Sequence, residues 1–245
     1  MEDDVLRKFN KDFFSRQDIF EHVKKDNCEF KETQLRYLIG KLQQNNQITR
    51  IGNNTYIKNK PDEVKFVYQG NYSNIATEVA NKINNQFPRL DIRVWELRWL
   101  NEFLNHQIAH NKIFVEVERD ACEFVYDSLS EDYQGKLMLM PSPKDLYRYG
   151  VNDGLIISHL VTESPKGVRS KYDTPLEKII VDMFSNKLIL SIVSKGDYDF
   201  AIQEMFNKYR INQTMLFRYA RRRNKKDVIT DFILSNTDIQ LIEGE

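Results

Sequence analysis

The chain has 245 residues, of which 41% are apolar and 29% are charged, so it is long enough for two compact domains or for one domain with a substantial appendage. Its 36 basic and 36 acidic residues balance, so no overall positive charge points to a nucleic-acid partner. Cys28 and Cys122 are far apart and belong to no CxxC or Cys/His cluster. That spacing argues against a disulfide framework and structural zinc, and we expect two buried, reduced thiols.

The acidic start, Met1 to Asp4, leads into no apolar segment, so the sequence indicates no signal peptide. No apolar run approaches the ~20 residues that a membrane span requires. The sequence also contains no Walker, Rossmann or Ser/Cys-His motif. We therefore expect a cytoplasmic protein with no cofactor and no membrane partner.

The amino-terminal residues alternate between apolar and polar with the spacing of short helices. A first helix is indicated by Val5, Leu6 and Phe9. Ser15 and Asp18 have the spacing of a capping box, which predicts that a second helix starts there, with Phe14 stapled onto it. Its inward residues are Ile19, Phe20 and Val23.

A longer helix is predicted to begin near Lys31, because apolar residues then recur at i, i+3, i+4 and i+7. These residues are Leu35, Leu38, Ile39 and Leu42. Two β-prone runs, 48–51 and 55–58, flank a Gly/Asn turn and predict a hairpin. Three helices followed by a hairpin are the order of a winged helix-turn-helix, so we assign residues 1–60 to a DNA-binding domain of that type.

The helix near Lys31 is the predicted reading helix, because the second helix of this motif lies in the major groove. From Asn27 to Lys60 there are six basic and two acidic residues, so the local charge is positive. The side chains predicted to contact DNA from this helix are Lys31, Thr33, Gln34, Arg36, Tyr37 and Lys41. Those predicted to contact DNA from the hairpin are Arg50, Asn53, Asn54 and Lys58. A solvated helix surface, or a winged helix that docks onto proteins, would show the same pattern.

Residues 61–171 are predicted to form a mixed α/β domain, because strand-like and helix-like patterns alternate there. The predicted strands cover residues 64–68, 90–95, 113–117, 136–140 and 154–161. Amphipathic helices are predicted around Val79 and Val125, while residues 95–104 fit either type. This order predicts a mixed sheet.

Residues 172–245 are predicted to form a helical region packed on the α/β domain, which makes the chain an α+β protein. Thr174, Pro175 and Glu177 fit the cap and first turn of a helix. Further helices are predicted at 198–209, 212–223 and 225–234. The basic run from Arg218 to Lys226, which covers the end of the helix at 212–223 and the start of the helix at 225–234, is either a second phosphate contact or a solvated helix end. Its arginines are Arg218, Arg221, Arg222 and Arg223.

Two pairs of residues have the spacing of metal ligands. His106 and His110 are spaced i, i+4, but no third ligand accompanies them, so we interpret them as a solvent-exposed pair at a helix end. Glu116 and Glu118 alternate on a predicted strand, as the paired acids of magnesium-dependent nucleases do. We interpret this second pair as a solvent-facing strand surface.

A nucleotidyltransferase pattern is present in outline only. Such enzymes use a Gly-Ser turn, a helix and an Asp-x-Asp strand that binds two metals. Here Gly70, Ser73 and Asp91 follow that order, but Arg93 stands where the second Asp is needed. The pattern still leaves an alternative hypothesis, which is a metal-dependent nucleic-acid-processing enzyme that uses Asp91, Glu116 and Glu118.

Three stretches resemble the AbiEi-type antitoxins of bacterial type IV toxin-antitoxin systems. They are the hairpin at 48–57, the Glu-Lys-x-x-Val-Asp helix within 174–184, and the Tyr-Ala-Arg helix at 219–223. The resemblance implies a phage-defence regulator that represses its own operon and counters a nucleotidyltransferase-like toxin without forming a stable complex with it. At the wing tip, Asn53 and Asn54 replace the basic and Gly residues that are more usual in that family. We therefore expect a regulator that binds operator DNA and is not an enzyme.

Overall fold

The computed structural model describes residues 13–44, 47–52, 54–58 and 65–241. The helix predicted around Val5, Leu6 and Phe9 lies outside the described residues. The amino-terminal elements are β1 (Phe13–Ser15), α1 (Arg16–Asp26), α2 (Glu32–Gln44), β2 (Ile48–Gly52) and β3 (Thr55–Lys58).

The central elements are α3 (Asn74–Gln86), β4 (Ile92–Glu96), a 3₁₀ helix (Leu97–Glu102), β5 (Lys112–Val117), a second 3₁₀ helix (Arg119–Ala121), α4 (Cys122–Ser130), β6 (Leu137–Leu139), α5 (Pro143–Tyr149) and β7 (Gly154–His159). The carboxyl-terminal elements are α6 (Leu176–Ser185), α7 (Lys187–Ile192), a third 3₁₀ helix (Lys195–Asp197), α8 (Tyr198–Lys208), α9 (Gln213–Arg222) and α10 (Lys226–Asn236). The predicted mixture of helix and strand, with a helical carboxyl-terminal part, is confirmed.

The amino-terminal strands form an antiparallel sheet in the order β1-β3-β2. The predicted hairpin is confirmed, and so is the capping box, because the side chains of Ser15 and Asp18 each accept from the other's backbone N–H. Strand β1 was not predicted. Phe14, interpreted as a helix staple, pairs in β1 with Tyr56 of β3, and their rings stack with centroids 6.4 Å apart.

The second sheet is mixed, as predicted, with strand order β4-β5-β7-β6. β4 pairs with β5 in antiparallel fashion, while β5, β7 and β6 are parallel. The strand predicted at 64–68 is wrong for the described residues of that range, where only Phe66 forms an isolated bridge, with Tyr209. The free edge of β4 is occupied instead by the carbonyl of Tyr172, which accepts from Val94 N at 2.9 Å.

Both faces of this sheet are covered by helices. One face packs on α3 and α4 through a core that includes Val79, Val115 and Val125. The opposite face, which carries Trp95 and Phe114, belongs to a larger core with α6, α8, α9 and α10. Side chains on both faces of the central strands are therefore removed from water, as in other sheets covered on two sides.

The start of α6 differs from the prediction in its cap. Thr174 does not cap the helix, because its hydroxyl donates to the carbonyl of Val94 at 3.0 Å and Pro175 occupies the cap position. Thr174 thereby fastens the helix start to the sheet edge. The helices α5 and α7 were not predicted; both are short, with seven and six residues. In the part of the chain that the structure describes, no helix has the length and apolarity to span a membrane.

Candidate nucleic-acid interface

One face of helix α2 is buried, and the opposite face, which we call the open face, is exposed to solvent. The predicted apolar stripe is confirmed, because Leu35 and Leu42 are fully buried, Ile39 is nearly so and Leu38 is half-buried. Arg16 of α1 forms an ion pair with Glu32, which ties the two helices together. The burial of the stripe fixes which side of α2 faces solvent.

The open face of α2 presents most of the side chains predicted to contact DNA. Thr33, Arg36 and Tyr37 are exposed, and the Tyr37 side chain has 73% of its surface in water. Lys41 is half-buried. An exposed aromatic ring beside an arginine combines apolar area with a forked cation, which suits contact with a groove and its phosphates.

Lys31 and Gln34 form the start of the helix. The Gln34 side-chain oxygen accepts from the backbone N–H of Lys31 at 2.8 Å. This bond satisfies a donor at the helix start that would otherwise face only water. Lys31 and Gln34 are both exposed, and the Gln34 amide keeps its two N–H donors and one oxygen lone pair for a further partner.

The hairpin turn is anchored beside the start of α1. Asn54 adopts a left-handed backbone with φ of 54°, and its carbonyl accepts from Arg16 N at 2.8 Å. Asn54 and Arg50 are exposed, and Lys58 is half-buried. Asn53 lies outside the described residues. The bond from Arg16 thus holds Asn54, just before β3, against the start of α1.

The arginines of the basic run on α9 differ in their surroundings. Arg218 and Arg221 are exposed on α9, and this helix packs against β2. Arg222 donates to the Thr162 hydroxyl at 2.6 Å. Arg223 turns inward, where its guanidinium lies 3.7 Å from the Asp182 carboxylate. Arg218, Arg221 and Arg222 are therefore exposed, and because the Arg222 side chain bonds to Thr162, Arg218 and Arg221 are the ones we consider for phosphate contact.

Glu116 is not part of a solvent-facing surface, contrary to our interpretation. Its carboxylate is buried and lies 2.6 Å from Nζ of Lys178, a residue with no exposed surface. Trp95 Nε1 donates to the same oxygen at 3.4 Å. The interpretation failed because α6 covers this face of the sheet. Glu118, in contrast, is exposed beyond the end of β5.

Lys178 also bonds to Asp182, one turn further along α6. The other Asp182 oxygen accepts from the Tyr219 hydroxyl at 3.2 Å. With Arg223, these groups form a buried charge network that comprises Glu116, Lys178, Asp182, Tyr219 and Arg223. The second and third stretches of the antitoxin resemblance thus meet in the core.

The ionisation of the buried charge network follows from its burial and its ion pairs. Burial raises the pKa of Glu116 above its ordinary value, against the opposing charge of Lys178. Burial alone would lower the pKa of Lys178, but the carboxylates of Asp182 and Glu116 outweigh it and raise that pKa. The ammonium is therefore held charged between two carboxylates.

The residues that follow the order of a nucleotidyltransferase site take part in helix capping, packing and ion pairs. Ser73 caps α3 by accepting from Ala76 N at 3.1 Å, and Gly70 lies against the Trp99 ring. Asp91 pairs with Lys166 at 2.9 Å and with Arg93 at 3.2 Å. Burial would raise the pKa of Asp91, but Lys166 and Arg93 outweigh it and hold that pKa below its ordinary value.

Arg93 is buried and fastens a loop to the sheet, since its Nε donates to the Pro165 carbonyl at 2.9 Å. Asp91, Glu116 and Glu118 do not converge. Asp91 pairs with cations at the sheet edge, Glu116 is enclosed under α6, and Glu118 faces water. Across the described ranges, no three His, Cys, Asp or Glu side chains form a group that could hold a metal ion.

Two further predictions are confirmed only in part. His106 and His110 lie in a loop, where both are exposed and His106 Nδ1 is 3.0 Å from Asp197 Oδ1. They are therefore exposed as interpreted but do not lie at a helix end, because the i, i+4 spacing here falls in irregular structure. Cys122 is buried as expected, but Cys28 is exposed in the loop between α1 and α2.

Comparison with known families places the chain in one of them. Residues 34–239 match DUF6577, described as a family of unknown function. No curated protein matches the sequence. The family match begins within α2 and ends after α10, so it takes in the central sheet and the whole helical part. Because it covers most of the sequence, the chain belongs to the DUF6577 family of unknown function.

Proposed function

We propose that the protein is a transcriptional regulator that reads duplex DNA with helix α2. One observation carries this proposal: the face of α2 opposite its buried stripe presents Thr33, Arg36 and Tyr37 to solvent. The B-DNA major groove admits a single α-helix, and an arginine there can fork onto a guanine edge.

The neighbouring elements support the same proposal. Helices α1 and α2 followed by the β2-β3 hairpin have the order of a winged helix, in which the hairpin lies beside the reading helix. Arg50 and Asn54 on the hairpin are exposed for backbone contact. Arg218 and Arg221 add exposed positive charge on α9, a helix that contacts β2. Together these groups would hold the protein in register on the duplex.

The finer proposal is an antitoxin that represses its own operon, with a nucleotidyltransferase-like toxin as its functional counterpart. Its support is the resemblance of the hairpin, the α6 segment and the α9 segment to AbiEi-type antitoxins. The α6 and α9 stretches contribute Lys178, Asp182 and Tyr219 to the buried charge network. In this proposal the α6 and α9 stretches stabilise the carboxyl-terminal part of the fold, while α2 contacts DNA.

DNA binding is tested by fluorescence anisotropy with the full chain and the duplex upstream of its own gene. Wild type is expected to bind this duplex more tightly than a shuffled duplex, with affinity falling as salt rises. Arg36→Gln is expected to cost about 1–3 kcal/mol and to reduce discrimination between the duplexes. Arg148→Gln, on exposed α5, is the control and should bind as wild type does.

Two outcomes would overturn the proposal. Equal affinity for the specific and shuffled duplexes at low salt would exclude an operator reader. Unchanged DNA retention after charge reversal at Arg36 and Lys41 would indicate a protein-docking domain. The antitoxin proposal has its own test, which is co-expression with the gene that lies next to this one, whose product the proposal expects to be a nucleotidyltransferase-like toxin. Growth arrest that this protein does not relieve would contradict it.

A further inference from the structure

A cavity of about 250 Å³ lies between the amino-terminal sheet and the carboxyl-terminal helices. Phe13 and Thr49 are both register partners of Ile57, so these three side chains share one face of the sheet. Phe14 and Tyr56 lie on the opposite face, in the core with α1 and α2. The cavity is therefore formed by the sheet face that the helices of the same unit leave uncovered.

The opposite wall of the cavity comes from the end of α8 and the segment that follows it. Phe206 and Ile211 provide an apolar surface there, facing Phe13 and Ile57 of the sheet. Apolar walls on two sides form a slot that suits a flat hydrophobic group. Sites for small ligands are commonly clefts between structural units with few polar groups at their edge.

The charged groups around the cavity are unequal in sign. Lys58, Lys65 and Arg210 border it, against the single carboxylate of Asp238. The Lys65 ammonium donates to the Phe206 carbonyl at 2.9 Å, which is a neutral acceptor. Among the residues that the structure describes, neither Lys58 nor Arg210 has a carboxylate within 4 Å, so the described groups at the edge carry a net positive charge.

Arg210 is positioned to hold a ligand. Its backbone N–H bonds to the Phe66 carbonyl at 2.9 Å, which fixes this residue at the edge of the cavity. The buried carboxylate of Glu177 attracts the guanidinium from longer range, but its Oε1 accepts from Asn212 N at 2.7 Å. Among the described residues this guanidinium has no carboxylate within 4 Å, and a guanidinium fork is the group that best matches a carboxylate.

We propose that this cavity binds a small aromatic carboxylate, with its ring between Phe13 and Phe206 and its carboxylate at Arg210 and Lys58. Such a ligand would touch the sheet of the proposed DNA-binding unit and the helical body at once. The binding site itself does not depend on the proposed function and can be measured without DNA.

The test uses 4-fluorobenzoate as probe, with ¹⁹F NMR on the full chain. Wild type is expected to give saturable binding, and Arg210→Gln binding about tenfold weaker. Ile57→Trp keeps every charge but fills the slot, so it is also expected to weaken binding. Arg148→Gln is the matched control outside the cavity, and far-UV circular dichroism checks that each variant is folded.

A neutral analogue, 4-fluorobenzamide, separates charge from shape and is expected to bind more weakly than the carboxylate. Absence of saturable binding to wild type would overturn the proposal. Binding that persists undiminished in both Arg210→Gln and Ile57→Trp would place the probe elsewhere and would also overturn it. Neither result bears on DNA affinity, so the site and the regulator proposal fail or stand separately.

Discussion

Lys178 Nζ lies 2.6 Å from Oε1 of Glu116, and both side chains are buried away from water. Glu116 is on strand β5 and Lys178 is on helix α6, so the ion pair joins the central sheet to the helical part. A buried charge is tolerated only when it is paired and hydrogen-bonded. The second carboxylate, from Asp182, and the Tyr219 hydroxyl complete that requirement.

Replacing Lys178 with Met is expected to destabilise the fold by about 3–5 kcal/mol, the usual cost of leaving a buried charge without its partner. Two carboxylates, Glu116 and Asp182, would then lie in the core without their shared ammonium. The measurement is the free energy of unfolding from urea denaturation, with Lys144→Met on exposed α5 as control. A loss below about 1 kcal/mol would show that the pair is not held as described.

The charge of Glu177 is expected to make stability depend on pH. Burial raises the pKa of this carboxyl above its ordinary value. A carboxyl whose pKa is raised on folding lowers stability as pH rises from its unfolded to its folded pKa. Glu177→Gln keeps an oxygen to accept from Asn212 N, so it is expected to be more stable than wild type at pH 8 and to lose this advantage by pH 4.

The control for this prediction is Glu177→Ala, which removes the acceptor altogether. The backbone N–H of Asn212, now 2.7 Å from Glu177 Oε1, would lose its partner. We expect a cost of about 1–3 kcal/mol for that unsatisfied donor, and Glu177→Ala should therefore fall below Glu177→Gln at both pH values. Identical pH profiles for wild type and Glu177→Gln in urea unfolding would contradict the assignment.

The sequence predicted elements where periodicity is local. The stripe at Leu35, Ile39 and Leu42 specified α2 together with its open face, because 3.6-residue spacing is a property of one helix. The same reasoning placed Glu116 in water, since alternation on a strand shows which residues share a face but not what covers it. That cover is α6, some sixty residues away in sequence, and no local pattern encodes it.

The sequence likewise predicted only part of the candidate interface. Exposure of Arg36 and Tyr37 followed from the buried stripe, whereas the inward turn of Arg223 did not follow from its place in a basic run. Its partner, Asp182, lies on another helix. Strand β1 was missed for a related reason: Phe14 is apolar in either role, and only pairing with Tyr56 makes it a strand residue.

Substitution of Gly40 and of Gly70 by Ala is expected to change the stability of the fold in opposite directions. A Cβ on Gly40 of α2 would meet no atom within 4 Å, so Gly40→Ala should stabilise the fold by about 0.5–1 kcal/mol, because alanine lowers the conformational entropy of the unfolded chain. A Cβ on Gly70 would lie 2.3 Å from the Trp99 ring, which is itself fixed by its Nε1 bond to the Asn71 carbonyl. Gly70→Ala should therefore destabilise by about 1–3 kcal/mol. Thermal unfolding monitored by circular dichroism distinguishes the two, and equal shifts would contradict the packing described.

The salt dependence of DNA affinity is expected to show whether α9 contributes to the interface. Each phosphate contact adds close to one unit to the slope of log affinity against log salt, because a counterion is released. If Arg218 and Arg221 contact phosphates, the double change to Gln should reduce the slope by about 2 and weaken specific and shuffled duplexes alike.

The comparison variant for the salt measurement is Arg36→Gln, which should change discrimination between the duplexes more than a backbone contact does, because it is proposed to read a base edge. Arg223→Gln is not a suitable control, since its guanidinium belongs to the buried charge network and the variant would be destabilised. An unchanged slope in the Arg218/Arg221 double variant would restrict the interface to α2 and the hairpin. The exposed arginines of α9 would then be a solvated helix surface, because positive charge that displaces no counterions cannot be in contact with the duplex.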